Sequence, residues 1–198
     1  MVAAMLSEGA GDMDARAFSE AIESHAIELT AGADEDMFRL SLQTLSEHKE
    51  TAFSYLGLML QQPRFDDDAL ERARRQALSI LKQQEQNPGY RLNKRWREAA
   101  FGTHPYGKPP MGTPASIESL GASDLRGFMK RYITQQNMVI AVVGDITPDA
   151  LSRVLDDHLG GLPSTFDPDV TVDDVTVAAG GEPIIVDFDI PQTMVLFG

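Results

Sequence analysis

Cysteine is absent from the 198-residue sequence, and this absence excludes several kinds of chemistry. The chain cannot form a disulfide, attack a substrate with a thiolate or bind zinc through cysteine. It also has no apolar run of the length that a membrane-spanning helix requires. No secretory-leader pattern precedes the first helical residues. We therefore expect a soluble protein without membrane association.

Basic residues are scarce, with 17 Lys and Arg against 30 Asp and Glu and a net charge of -13. Only one base, Arg153, occurs in residues 144–198. The bases that cluster in residues 64–97 are interspersed with acids along predicted helices. An acidic protein repels the phosphate backbone, so we expect no nucleic-acid partner.

The spacing of apolar residues predicts an α+β domain. Alternation over residues 26–33 and 37–45 predicts an antiparallel hairpin, and the continuous apolar run at 138–143 predicts a central strand. Residues 183–188 and 193–197 predict two further strands, after an acidic linker rich in Pro, Asp and Thr. Helices are predicted at residues 15–24, 47–61, 66–86, 90–101, 123–134 and 148–159, with Ser46, Ser123 and Thr147 as caps of three of them.

Four short motifs occur in a fixed order, and each alone is weak. They are SEGAGD at residues 7–12, PRFD at 63–66, HPYG at 104–107 followed by GTP at 112–114, and NMV at 137–139 leading to VGDI at 143–146. In this order and at this spacing they resemble the M16 (insulinase, or mitochondrial processing peptidase-like) metallopeptidase family. The resemblance covers most of residues 1–163.

The resemblance implies a zinc site that this sequence does not complete. Active members carry His-x-x-Glu-His just before a Met-Leu pair, where the two His bind zinc and the Glu is the general base. If Met5-Leu6 is that pair, the Glu falls on Ala3 and the second His on Ala4, and the first His would precede Met1. The third ligand of active members, a Glu on the helix after the PRFD motif, falls near Ser79.

The same resemblance implies a fold and a domain division. We expect the α+β fold of M16 (LuxS/MPP-like) metallohydrolases, an antiparallel-rich sheet packed with helices and truncated at both ends. The expected division is an M16-like domain at residues 1–163, a linker at 164–182, and the opening strands of a second such domain at 183–198. Paired domains of this kind close into a clamshell around an unfolded peptide.

Other candidate sites in the sequence have simpler explanations. The four histidines His25, His48, His104 and His158 show no ligand spacing on one helix face, and we expect His104 to pack or hydrogen-bond within its loop. The acids of residues 66–68 are explained by a helix N-terminus, which favours negative charge. The VGD turn lacks a nucleotide-binding glycine pattern.

The sequence therefore predicts the non-catalytic partner of a zinc-bearing M16 homologue, with no zinc or other cofactor of its own and with unfolded peptide as the shared substrate. Two alternatives stay open. One is an active zinc metalloendopeptidase whose metal site is lost or completed outside residues 1–198, and the other is a structural or interaction domain only. We expect the bacterial periplasm rather than the cytoplasm or an organelle matrix. Strands left without a partner also predict a homodimer.

Overall fold

The computed structural model describes residues 1–166, 172–177 and 181–198. Its helices are α1 (Val2–Met5), α2 (Ala15–Ser24), α3 (Lys49–Gln61), α4 (Asp67–Gln84), α5 (Pro88–Phe101), α6 (Pro114–Ser119), α7 (Ala122–Tyr132) and α8 (Pro148–Leu159). The described strands form two antiparallel pairs. Strand β1 (Gly9–Ala10) pairs with β2 (Met13–Asp14), and β3 (Glu28–Ala33) pairs with β4 (Phe38–Gln43). The expected α+β fold is thus confirmed, and it is rich in helices with small antiparallel sheets. In the described part of the chain, no helix is long and apolar enough to cross a membrane.

The chain divides into two compact units. The first contains Met1–Ala73 and Leu120–Asp169, and the second contains Arg74–Ser119 and Val170–Gly198. The division at residues 163 and 182 that the sequence suggests stays a prediction. Of the predicted linker, residues 167–171 and 178–180 lie outside the described residues.

The first unit is built on a single apolar core. Helix α1 contributes Met5, and Leu6 follows it, while Phe18 from α2 is also fully buried. Phe18 meets the Tyr55 ring edge-on at 6.0 Å between ring centroids. Further buried members come from α3, α4, α7 and α8 and include Met59, Leu60, Leu70, Leu125, Met129 and Leu159.

Several helices begin where side-chain chemistry predicts. The Asp14 carboxylate accepts a hydrogen bond from the Ala17 amide at 2.8 Å and caps α2. Thr147 accepts from the Ala150 amide at 3.3 Å, and Pro148 takes the first position of α8.

Two predicted caps are wrong. Ser46 lies in a single 3-10 turn, Ser46–His48, which precedes α3, and its side chain caps nothing there. At α7 the cap residue is Gly121 rather than Ser123, and the Gly121 amide donates to the Asp124 carboxylate at 2.8 Å. A serine two residues too early or too late in the chain cannot reach the first helical amides.

The predicted hairpin is confirmed. Leu29 pairs with Leu42 and Ala31 with Leu40, so their side chains share one half-buried face. The turn is closed by Asp34, whose carboxylate accepts the amides of Asp36 at 2.9 Å and Met37 at 2.8 Å. These two bonds lower the pKa of Asp34.

The predicted strand at residues 138–143 is wrong in this structure. The segment belongs to no helix or strand, and Val139 and Val143 are 99% and 102% exposed. The same holds for the predicted strands at 183–188 and 193–197. A strand forms only when a neighbouring edge supplies its hydrogen bonds, and an apolar pattern cannot guarantee that edge.

The second unit contains an aromatic group around α5. The Phe101 ring lies edge-on to Trp96 at 5.9 Å and to Tyr106 at 5.6 Å, between ring centroids. The Arg97 guanidinium donates to the Tyr106 carbonyl at 2.9 Å. Trp96 is half-buried.

Helices α3 and α8 cross at very close range. The Gln61 side chain donates to the His158 carbonyl at 2.6 Å and to the Gly57 carbonyl at 3.2 Å. The His158 ring lies 2.9 Å from the Glu50 carboxylate at the other end of α3. A side chain at Gly57 would collide with the His158 carbonyl oxygen.

The crossing predicts opposite effects for two glycine substitutions. Gly57→Ala should lower the free energy of unfolding by about 1–3 kcal/mol, because the new methyl group forces the helices apart. Gly127→Ala is the matched control in α7, where nothing lies within 4 Å of an added Cβ, and it should raise stability by about 0.5–1 kcal/mol. Urea denaturation measures both. Equal effects for the two variants would contradict the close crossing.

Candidate functional site

Helix α1 exposes the positions at which the resemblance places catalytic groups. Val2 and Met5 point into the core, whereas Ala3 is half-buried and Ala4 is exposed. The side chains presented outward are methyl groups, which have no lone pair for a metal and cannot accept a proton. The outward side chains of this helix therefore carry no group that could bind a metal or move a proton.

The loop that follows α1 has a backbone that glycine alone adopts easily. Gly9 and Gly11 have φ angles of 115° and 57°. Strands β1 and β2 pair Gly9 with Asp14 and Ala10 with Met13. A side chain at Gly9 would come within 2.8 Å of the Met13 carbonyl oxygen. The SEGAGD motif therefore encodes a tight two-residue hairpin.

This loop is bonded to the PRFD motif by main-chain hydrogen bonds. The Gly11 amide donates to the Gln62 carbonyl at 2.9 Å, and the Arg64 amide donates to the Gly9 carbonyl at 3.2 Å. Ala10 and Pro63 form the bridge between them. We call this contact of residues 9–11 with residues 62–64 the junction.

Arg64 extends the junction with its side chain. The guanidinium donates to the Asp66 carboxylate at 2.7 Å and to the Gly11 carbonyl at 3.4 Å. The hydrogen bond and charge of Asp66 raise the pKa of Arg64. The Arg64 side chain is thereby held across the base of the loop.

Phe65 packs beneath the junction in an unusual conformation. Its φ angle is 51°, rare for a residue with a side chain, and its ring is 1% exposed. Arg126 of α7 donates to the Arg64 carbonyl at 2.7 Å, with its guanidinium 5.9 Å from the Phe65 ring centroid. Arg126 lies in none of the motifs, so no sequence signal identifies it.

Glu8 is the carboxylate that follows the two alanines most closely in the chain, and it is used structurally. Arg72 of α4 binds the Asp68 carboxylate at 2.6 Å and the Glu8 carboxylate at 2.9 Å. Asp68 and then Glu8 raise the pKa of Arg72, and Arg72 lowers the pKa of Asp68. Asp67 and Asp68 lie in the first turn of α4, where a helix N-terminus favours negative charge, and Asp68 also pairs with Arg72.

Ser79 lies in the second unit, on the part of α4 that belongs there, and its side chain is exposed. The nearest carboxylate in the sequence, Glu85, binds the Lys94 ammonium at 2.7 Å. The hydrogen bond that Lys94 donates to Glu85 raises the pKa of Lys94. The third expected ligand position therefore has a hydroxyl group, and the nearby carboxylate is already paired.

These residues do not fit a catalytic zinc ion. Two of the expected donors are methyl groups and the third is a hydroxyl group, whereas protein zinc sites use imidazole, carboxylate or thiolate. Over residues 1–166, 172–177 and 181–198, no three His, Asp or Glu side chains come together in a metal-binding arrangement. The assignment of Ala3, Ala4 and Ser79 as non-ligand positions stays a prediction.

The fold brings two histidines together that the sequence separates. The rings of His25 and His48 are perpendicular, with 5.3 Å between their centroids. His25 is also held through its Nδ1 atom, 2.9 Å from the Ala21 carbonyl. His104 accepts the Tyr106 amide at 3.2 Å, which confirms its predicted role within the loop. Sequence spacing offers no signal for the His25–His48 contact.

Two family models match this chain. The one described as Insulinase (Peptidase family M16) matches residues 1–114, and the one described as Peptidase M16 inactive domain matches residues 119–198. Among curated proteins, a non-peptidase homologue from Helicobacter pylori, YmxG, is 26% identical over 163 residues. That match covers 82% of this chain and 38% of the relative.

Solved structures show the same fold. The crystal structure of a peptidase M16 inactive domain from Pseudomonas fluorescens matches with a TM-score of 0.83 and 27% identity, over 88% of this chain and 43% of that one. The periplasmic protease PqqL from Escherichia coli matches with a TM-score of 0.74 and 16% identity, over 87% of this chain and 20% of that one. The chain thus spans less than half the length of these relatives.

Ala3 and Ala4 cannot act as a metal ligand or as a general base. We therefore expect the purified chain to retain no stoichiometric zinc and to cleave no peptide. Metal analysis after dialysis, and a peptide-cleavage assay with and without added zinc, measure the two properties. An active M16 enzyme prepared in parallel is the positive control. One tightly bound zinc per chain would show that a site exists elsewhere in the protein.

Proposed function

The chain belongs to the M16 (insulinase) peptidase family, and from this premise we propose that it is a non-catalytic member that binds peptide beside a zinc-bearing homologue. One observation carries the proposal. The junction, Arg64 and Arg126 form a hydrogen-bonded support at the end of the loop that follows α1. The resemblance assigns the general base and a zinc ligand to Ala3 and Ala4 of that helix, and neither side chain can act as one.

The cost of this support favours a function in binding. Phe65 has a backbone conformation that costs on the order of 1–3 kcal/mol and is tolerated only when its surroundings enforce it. Here that conformation positions no metal ligand. Phe65 instead directly follows the residues that form the junction, and we propose that the junction supports a peptide-binding surface.

The β3 strand offers a route for that recognition. Within the described residues, β3 pairs with β4 along one edge only. Its exposed residues, Glu28 and Thr30, alternate with the half-buried Leu29 and Ala31. An extended peptide can add to such an edge through main-chain hydrogen bonds, with little dependence on its sequence. An unfolded peptide is therefore the substrate class that we propose.

A zinc-bearing M16 homologue is the partner we propose. A clamshell closes only when a second subunit lies opposite the first. Cleavage also needs a zinc ion and a general base, and Ala3 and Ala4 can neither bind the one nor act as the other. We propose the periplasm as the compartment, and the similarity to the periplasmic protease PqqL of Escherichia coli supports it.

Reconstitution tests the pairing. The chain is mixed with a zinc-bearing M16 homologue from the same source, and complex formation and cleavage of an unfolded peptide are measured. We expect no cleavage by the chain alone, and a lower KM for the homologue when the chain is added. An unrelated acidic protein of similar size is the control for charge effects.

Peptide analogues test the mode of binding. N-methylation of every second amide removes the donors that would face a strand edge, so one methylated set should lose affinity for the chain. The complementary set, methylated on the amides that face away, should bind like the unmodified peptide. Equal binding by both sets argues against edge pairing. Failure of complex formation together with failure of peptide binding favours a purely structural role.

A further inference from the structure

The first unit contains a pocket of about 370 Å³ beside the junction. Three stretches of the chain line it: residues 60–63 at the end of α3 and the start of the PRFD motif, four residues within 126–133 on and just after α7, and residues 161–163 after α8. Pro63 belongs both to the pocket and to the junction. The volume falls within the range of about 300–1,000 Å³ that is typical of small-ligand pockets. We call this surface the α7 pocket.

The most buried part of the α7 pocket is apolar. Its side chains are those of Leu60, Met129, Ile133 and Leu162, which are all buried. The same four residues belong to the core of the first unit, and close packing there limits their movement. The pocket therefore offers a fixed apolar surface that favours an apolar side chain.

The wall formed by residues 161–163 is held by hydrogen bonds from a single glutamine. The Gln135 side chain donates to the carbonyls of Gly160 at 2.9 Å and Leu162 at 3.0 Å. The Gln135 main-chain amide donates to the Pro163 carbonyl at 2.9 Å. Because this wall is already ordered, a ligand need not order it on binding, which lowers the entropic cost.

The charged residues of the α7 pocket are all cations. Arg126 and Lys130 both line it, and a separation of four residues places them on the same face of α7. None of the described residues that line the pocket is Asp or Glu, although the chain has a net charge of -13. A local excess of positive charge in an acidic protein favours an anion at this position.

Both cations have donors available for that anion. The Arg126 guanidinium donates to the Arg64 carbonyl at 2.7 Å and lies 5.9 Å from the Phe65 ring centroid. The carbonyl accepts one of five N–H donors, so the arginine is positioned without being saturated. Lys130 is exposed, and its ammonium makes no hydrogen bond or ion pair with the described residues. The two side chains can therefore bind one carboxylate through charge-assisted hydrogen bonds.

We propose that the α7 pocket binds the C-terminal residue of a peptide, with an apolar side chain on its buried surface and the carboxylate between Arg126 and Lys130. A C-terminal residue carries both groups on one carbon atom, which matches a pocket whose apolar and cationic parts adjoin. An internal segment of a peptide has no main-chain carboxylate. This inference rests on the proposed peptide-binding function and names the part of the peptide that is recognised.

Three short peptides test which groups the pocket recognises. All are acetylated at the N-terminus. One ends in leucine with a free carboxylate, the second ends in leucine carboxamide, and the third ends in glycine with a free carboxylate. The carboxylate peptide ending in leucine should bind at least about tenfold more tightly than the carboxamide, which loses the charge-assisted hydrogen bonds. It should also bind about tenfold more tightly than the glycine peptide, which leaves the apolar surface in water. Isothermal titration calorimetry gives the dissociation constants.

Two lysine variants test where the carboxylate binds. Lys130→Gln should raise the dissociation constant of the leucine carboxylate peptide about fivefold and leave that of the carboxamide unchanged. Lys82→Gln is the matched control, because Lys82 is exposed and lies in the last turn of α4, as Lys130 lies in the last turn of α7. Both substitutions remove one positive charge. Lys82→Gln should change neither constant by more than about twofold, as for an ordinary surface change.

A long unfolded peptide that is blocked at both ends separates this inference from the proposed function. If it binds, while the leucine carboxylate and carboxamide peptides bind equally, the proposed function stands and the pocket assignment is wrong. An equal loss for Lys130→Gln and Lys82→Gln also overturns the assignment, because it indicates a general effect of net charge. Decanoate is the last probe. If it binds in a Lys130-dependent way and the carboxylate peptide does not bind, the pocket takes a small amphiphilic anion instead of a peptide. Failure of every peptide to bind contradicts both proposals.

Discussion

The first unit depends on one set of main-chain hydrogen bonds, those that join residues 9–11 to residues 62–64. Fifty residues of chain separate the two partners, and the intervening segment contains α2, the β3–β4 hairpin and α3. Closing so long a loop costs conformational entropy that the junction and the core beneath it must offset. Phe65 and Arg126 supply part of that stabilisation, the first by burial and the second by hydrogen bonding to the Arg64 carbonyl.

Helix α1 is held in place independently of the two positions to which the resemblance assigns catalytic groups. Val2, Met5 and Leu6 hold α1 in the core regardless of what stands at positions 3 and 4. Ala3 is half-buried and Ala4 is exposed, so these two positions contribute little to the packing of the helix. Folding and catalysis therefore place separate demands on this helix, and a chain can satisfy the first without the second.

The described structure leaves several backbone segments without a paired strand. The hairpin has two strands, and two strands alone are marginal in water. The segments 138–143 and 193–197 are apolar and exposed, outside any helix or strand of the structure. The β4 face is half-buried. Its remaining apolar surface lies beside residues 138–143.

The sequence by itself determined the helices, the hairpin and the family. The Thr147 cap, the alternation in the hairpin and the alanines at positions 3 and 4 are short-range features, so they can be read along the chain. Tertiary structure alone decided which backbone edges find partners, because pairing depends on segments distant in sequence. It also decided the role of Arg126, the contact of His25 with His48, and the failure of residues 138–143 to form a strand. Each of these depends on contact with residues that are distant in sequence, which a local pattern does not identify.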